Sequence, residues 1–334
     1  IVDLKDSSSF NFAKNNYAVA DDTTKNMLLS IMASFHTKEY YNVLKTLLLK
    51  QPPVLEPGYN FTNPLSDSLE LTATILPDLL PLLKDTAMAP VIISLSNKLI
   101  DSGLIKENIL EPFQGDILNF SDKEFAAFKA DSDYFKYSDY QLIQLIEKMN
   151  NAECNSKLQK WSLVSQSYMS LRAVNSLLRN KQDISPKAIQ ALAKNRDTRT
   201  DLYDSLKAYH KTDLFPASYL SQQSFGESYI YVAAEDDNPL AVNYLSQKII
   251  NFKGRQSKVY FYKVTFRDGD DSTYSLACAG PFGLNLEDVS SKDASAEIYY
   301  EENFDKSKMK EQTEALIQQM EKRFEWKDEK DKIK

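Results

Sequence analysis

Eight glycines in 334 residues set the tightest limit on what this chain can fold into. Glycine opens the left-handed turns that a many-stranded β protein needs at its corners, and it lets backbone close around a phosphate. A chain so poor in glycine is expected to be mainly helical. Neither a P-loop nor a dinucleotide-binding glycine fingerprint occurs in it, so no cofactor of those classes is expected.

The apolar residues repeat accordingly. From Thr24, Met27, Leu28, Ile31, Met32 and Phe35 fall at helical spacing, and Tyr40, Val43, Leu44, Leu47 and Leu48 continue it until Gln51, Pro52 and Pro53. Residues 1–21 are polar, with Ser7, Ser8 and Ser9 in a row, and read as an irregular lead. A connector is expected at Pro57 and Gly58. Beyond it, Leu69, Leu71, Ile75, Leu76, Leu79, Leu80, Leu82 and Leu83 form one dense stripe, and Met88, Val91, Ile92, Leu95 and Leu99 form the next, stopped at Gly103. Pro77 lies inside the first of these helices at a cost of about 3 kcal/mol in isolation, which predicts a kink held by packing on both sides.

Helix starts are expected at Ser121 and Ser138, each followed three residues later by Glu124 or Gln141 in capping-box spacing. Others are expected at Ser185–Pro186 and at Thr198 with Asp201. Trp161, Val164, Tyr168, Leu171, Val174 and Leu178 read as one long stripe. No strict internal repeat exists, so an irregular solenoid and an ordinary bundle both fit.

After Leu214 the character changes. Residues 224–234 read equally as a strand or as the tail of a helix. Val259–Phe266 is rich in aromatic and β-branched residues, Tyr274–Ala279 alternates large with small, and Asp268 to Ser272 between them are turn formers, so an antiparallel hairpin is predicted. A last helix over about 306–324 places Met309, Thr313, Leu316, Ile317, Met320 and Phe324 on one face, which suits covering the sheet, and 327–334 is a mixed-charge tail expected to fray. The expected fold class is mainly α with a C-terminal α+β unit: stacked helical hairpins, as an irregular HEAT-like solenoid or a bundle, then a small antiparallel sheet covered by a helix. Its parts are a lead and helical hairpin over 1–56, a helical-repeat domain over 57–223 and an α+β domain over 224–334.

Candidate chemistry is sparse. The net charge of −7, from 40 basic and 47 acidic residues, repels a phosphate backbone on average. Lys258 to Lys263 interleaves Tyr260, Phe261 and Tyr262 with bases, a pattern able to stack on RNA, but net charge and the neighbouring acidic loop decide against nucleic acid. Exposed tyrosines there, Tyr260 and Tyr262 with Tyr229 and Tyr231, would serve a protein or a glycan contact equally well. Cys154 and Cys278 read as buried, incidental thiols rather than a disulfide or zinc pair. The Asp268–Ser272 run lacks the glycine and glutamate of an EF-hand, and no metal site is expected. His36 and His210 both read as helix-end residues. The remaining route to catalysis is His210 with Asp236 and Asp237; paired acids such as Glu301 and Glu302 read as solvated. No apolar run reaches the roughly 20 residues of a membrane span. The chain opens at Ile1 without a basic-then-apolar leader, so any export signal is expected to have been removed or never included, and a fragment of a longer protein fits as well.

The paired helices over 69–103 resemble the HEAT and armadillo class of α-solenoids. A second resemblance rests on Asp201, Leu202, Tyr203, Leu214, Phe215, Pro216, Tyr219 and Gln222, with the hairpin ending Ala279, Gly280, Pro281, Phe282. Over about residues 60–285 this looks like the C-terminal part of large exported proteins of Bacteroidetes-type bacteria built from HEAT-like helices. The resemblance implies an envelope or secreted location and a non-enzymatic region, carries no catalytic residues, and would place alanine where this chain has Gly226. The expected function is a scaffold or protein-interaction module; the rival is an enzyme of unfamiliar design.

Overall fold

The structure is a computed structural model describing residues 7–52, 65–85, 87–130, 137–234, 239–268, 271–285, 294–300 and 303–333, with backbone alone for 124–130, 137–139, 268 and 324–333. It is mainly helical, with a four-stranded antiparallel sheet near the C-terminus followed by a helix, as the residue pattern predicts. Among the described residues no helix is long and apolar enough to cross a membrane. The chain packs as two compact units, Ile1–Trp161 with Asn180–Gln182, and Ser162–Arg179 with Asp183–Lys334.

The first unit contains α1 (Ser7–Asn16), α2 (Asp22–Ala33), α3 (Lys38–Lys50), α4 (Leu69–Leu79), α5 (Ala89–Asp101), α6 (Gln114–Ala130), α7 (Tyr137–Met149) and α8 (Ala152–Trp161). The lead is therefore not irregular. Phe10 and Ala13 are buried along α1, Tyr17 follows them into the core, and the Phe10 ring sits 4.1 Å from that of Tyr40. Three apolar residues spaced by three and four suffice to seat a helix once a neighbouring hairpin supplies the other half of the contact. Asp21 and Thr37 cap α2 and α3, accepting from the amides of Thr24 and Tyr40.

Pro77 lies within α4 on its exposed side, while Ile75, Leu76 and Leu79 are buried against the neighbouring helices. Helix α4 passes directly into a 3-10 turn over Leu80–Lys84. Helix α5 is buried nearly all round, and its Asn97 donates to the Gln141 carbonyl (2.6 Å) while accepting from Lys148 (2.8 Å). Gly103, at φ 71°, closes α5: its amide bonds the Ile100 carbonyl and the next amide bonds that of Leu99, the paired bonds of a left-handed helix stop. Ser121 does not start a helix. It lies inside α6, its hydroxyl bonded to the Leu118 carbonyl (2.6 Å), because the 3-10 turn Glu107–Phe113 already leads the chain into helix at Gln114. Ser138 is near a true start, but the Gln141 side chain accepts from Asn97.

The second unit contains α9 (Ser167–Arg179), α10 (Pro186–Lys194), α11 (Arg199–Ala208), α12 (Gln222–Ala233) and α13 (Met309–Ile333), with β1 (Pro239–Phe252), β2 (Arg255–Asp268), β3 (Asp271–Phe282) and β4 (Ser295–Tyr299). The Trp161-to-Leu178 stripe is thus split between α8 and α9. Residues 224–234, left open between strand and helix, are helical: they lie in α12 as far as Ala233, with Ala234 its C-cap. The sheet order is β1-β2-β3-β4, all antiparallel. Lys253 and Gly254, at φ 48° and 75°, make the two-residue turn between β1 and β2, whose primed geometry matches the strand twist. The predicted hairpin is β2–β3, with Asp268 opposite Asp271; residues 269–270 between them lie outside the described residues.

Alternation along β2 sorts the two faces. Tyr260, Tyr262, Val264 and Phe266 join a core with Leu171, Val174, Ile189, Leu192, Leu202, Leu206, Phe225 and Ile230. Val259 and Phe261 point the other way, to Leu276, Cys278, Leu316 and Met320, so α13 covers that face as predicted. The helix itself runs on to Ile333, through the tail expected to fray. Helices α9 to α12 and the sheet share one core, so packing does not divide the chain at 223/224; the expected division at 56/57 lies outside the described residues.

Gly226 explains its own departure from the resemblance. A Cβ added there would lie 2.5 Å from the Tyr262 hydroxyl and 3.1 Å from the Ala279 Cβ, so α12 can approach the sheet this closely only without a side chain at that position.

Candidate functional site

The residues singled out from the sequence separate into groups with different environments. Tyr260 and Tyr262 are buried, at 5% and 1% exposure, and this corrects the expectation of exposed contact residues. Their even positions on β2 turn them under α12. The Tyr260 hydroxyl donates to Gln222 Oε1 (3.0 Å) and the Tyr262 hydroxyl to the Gln223 carbonyl (2.6 Å), while Gln222 Nε2 donates to the carbonyls of Gly283 and Asn285. Both phenols thus fix the first turn of α12 to the sheet. Tyr229 and Tyr231 are half-buried on α12, Tyr229 with its ring 6.1 Å from Phe282 and Tyr231 under the Arg196 guanidinium at 5.6 Å.

Burial raises the Tyr229 hydroxyl from 10.0 to about 12, with Asp204 and Asp201 adding to the shift; burial and the nearby Glu227 raise Tyr262 further still. A phenol harder to ionise when folded stabilises the fold below its unfolded value of 10.0, and that stability is lost as pH climbs through the folded one. We therefore expect alkaline unfolding beginning between pH 10.0 and about 12, with tyrosine ionisation and loss of circular dichroism rising together. Ionisation complete well before any loss of structure contradicts this.

His210 stands just beyond α11 at φ 56°, its amide bonded to the Lys207 carbonyl and that of Lys211 to Leu206, the same left-handed stop as at Gly103. Its ring is exposed. Asp236 and Asp237, its expected catalytic partners, lie outside the described residues, as do Glu301 and Glu302. His36 follows α2 in the same backbone region at φ 49°. Glycine adopts this conformation without the Cβ penalty, so His210→Gly is expected to stabilise the chain by about 1 kcal/mol in urea unfolding. A loss of stability would show that the imidazole itself holds the structure.

Cys154 and Cys278 are both buried free thiols, and burial pushes the Cys278 thiol up to about 12, far from nucleophilic. Among the described residues, no three His, Cys, Asp or Glu side chains come together as a metal set. Shallow clefts open among the described residues of the first unit. One, of about 360 Å3, is lined by Glu107, Asn108, Glu111, Gln114, Met149 and Asn151; another, of about 180 Å3, has Lys84, Lys123, Asp116 and Asn119 at its walls. In the first, Asn151 donates to Gln114, which donates to Glu153 (both 2.7 Å), a chain of bonds tying the start of α6 to that of α8.

Arg199, 2% exposed, is a heavily bonded charge of the second unit. Its guanidinium donates to the carbonyls of Ala193 (2.8 Å), Lys194 (3.3 Å) and Ser224 (2.7 Å) and to Glu227 (3.1 Å), and lies over the Tyr219 ring. Arg196 takes the other oxygen of Glu227 (2.7 Å). The carbonyls at the end of α10 are thereby capped from α11 and joined to α12, so this cluster holds helices in place.

What the sequence reading missed is β1. Its 14 residues form an outer strand, paired to β2 alone among the described strands, with Leu240, Tyr244 and Ile249 exposed at 48%, 41% and 54%. Shifts of register at Pro239/Ala241 and Tyr244/Ser246 break its alternation, which is why period two was not visible. Compared with protein-family models, curated proteins and solved structures, the chain matches none.

Proposed function

We propose that this chain is a non-enzymatic protein-interaction module, and, from its resemblance over about residues 60–285, a region of a larger exported bacterial protein. The first part is supported above all by how the second unit spends its polar groups. Arg199, Glu227, Gln222, Tyr260 and Tyr262 are all committed to holding helix against helix and helix against sheet. Bare apolar side chains instead line its long outer strand. A frame carrying a long strand whose outer side pairs with no described strand suits recognition of another polypeptide.

The test is photo-crosslinking in the organism that makes the protein, with a reactive residue placed in turn at Gln247 on β1, at exposed Leu163, and at Glu111 beside the larger cleft. Discrete adducts with one or a few proteins are expected. Adduct-free chain at every position, together with turnover of a small molecule that His210→Ala abolishes, would replace this reading with catalysis.

A further inference from the structure

We infer that the open edge of β1 takes up an extended, acidic polypeptide segment as an added strand; this rests on the module reading and names the partner's chemistry. Sheet edges in proteins are ordinarily guarded by shortness, proline, charge, bulges or cover, and on β1 the irregularities end at Ser246, leaving Ser246 to Phe252 in regular register. At one edge of this sheet β4 has 5 residues; at the other β1 has 14, with proline only at its first position and Lys248 as its one charged side chain. A strand laid along β1 would gain main-chain hydrogen bonds whatever its sequence.

Charge selects among such strands. Residues 239–267, in a chain with more acids than bases, contain Lys248, Lys253, Arg255, Lys258, Lys263 and Arg267 and no Asp or Glu. Lys258 is bonded to the Leu284 carbonyl (3.3 Å) and Lys263 lies 3.6 Å from the Tyr274 ring centre, whereas Lys248 and Arg255 are exposed. Lys248 sits opposite Val259, on the α13 side of the sheet, while Tyr244 and Ile249, opposite Tyr262 and Lys258, lie on the α12 side. The edge thus presents basic charge on one side and apolar surface on the other. Its complement is a strand alternating acidic and apolar residues. A single-stranded nucleic acid fits less well, since Tyr260 and Tyr262 are buried and Tyr244 alone leaves an exposed ring along β1, too few for successive bases to stack on.

Fluorescence anisotropy with four labelled probes tests this: an alternating Glu-Val peptide, its Lys-Val counterpart, a Glu-rich peptide of equal charge with proline at alternate positions, and a single-stranded oligonucleotide. Binding of the Glu-Val peptide alone is expected, weakened roughly tenfold or more by Lys248→Glu with Arg255→Glu. Both side chains are exposed, so the double variant keeps the fold, checked by circular dichroism. Equal binding of the proline peptide would reduce the edge to bulk electrostatics, and preference for the oligonucleotide would replace its occupant; either overturns the inference. No binding of the Glu-Val peptide, with protein adducts in the crosslinking experiment, removes the edge and leaves the module; failure of both experiments removes both.

Discussion

Arg199→Met will lower the stability of the chain by roughly 3–5 kcal/mol, mainly the cost of leaving three carbonyls without their donor. The methionine fills much of the volume, so the loss reads the bonds and not a cavity. Three carbonyls and one oxygen of Glu227 take bonds from this one guanidinium, whose flat fork reaches α10 and α12 at once. Lysine brings the charge but not the fork, and Arg199→Lys should recover little. Adding Glu227→Gln to Arg199→Met should recover little, since the carboxylate keeps its bond to Arg196 and some contact with solvent, and the carbonyls carry the loss. Urea midpoints of the four proteins check this, and a wild-type midpoint for Arg199→Met would mean that the cluster contributes nothing to holding the helices.

The second large effect is expected at Gly226. Gly226→Ala places a methyl where the Tyr262 hydroxyl stands, and overpacking of this kind costs about 1–3 kcal/mol. Tyr262→Phe removes that hydroxyl together with its bond to the Gln223 carbonyl, and alone should be mildly destabilising. Combined, the two substitutions should cost less than the sum of their separate losses, since the phenylalanine clears the space that the methyl needs. Strict additivity in thermal or urea unfolding would place the strain elsewhere than at this contact.

Much of the fold was legible because it is carried by local pattern. The stripes of α2 to α5, the stops at Gln51 and Gly103, the Ser185–Pro186 start, the β2–β3 hairpin and the covering helix all follow from spacing and turn chemistry. What escaped depends on partners distant in sequence. Helix α1 has too few apolar residues to announce itself and is set by Phe35 and Tyr40. Strand β1 loses its alternation at its register shifts and leaves apolar residues outward. Tyr260 and Tyr262 look like a binding platform in a strand rich in lysine, and only the arrival of α12, admitted by Gly226, makes them core. The division of the chain near residue 162 rather than 224 has the same origin: Leu171 to Leu206 carry ordinary helical stripes, and nothing in such a stripe says that its partner is a sheet.

Amide hydrogen exchange on the intact chain, followed segment by segment in mild denaturant, probes most directly whether helices α9 to α12 and strands β2 and β3 are one body with β1's outer side left open. Amides of those helices and of β2 and β3 should share a single opening reaction, with the outward amides of β1 exchanging far sooner. Helices before residue 223 that open on their own while the strands stay protected, or a β1 as slow as β3 in the free protein, would contradict it.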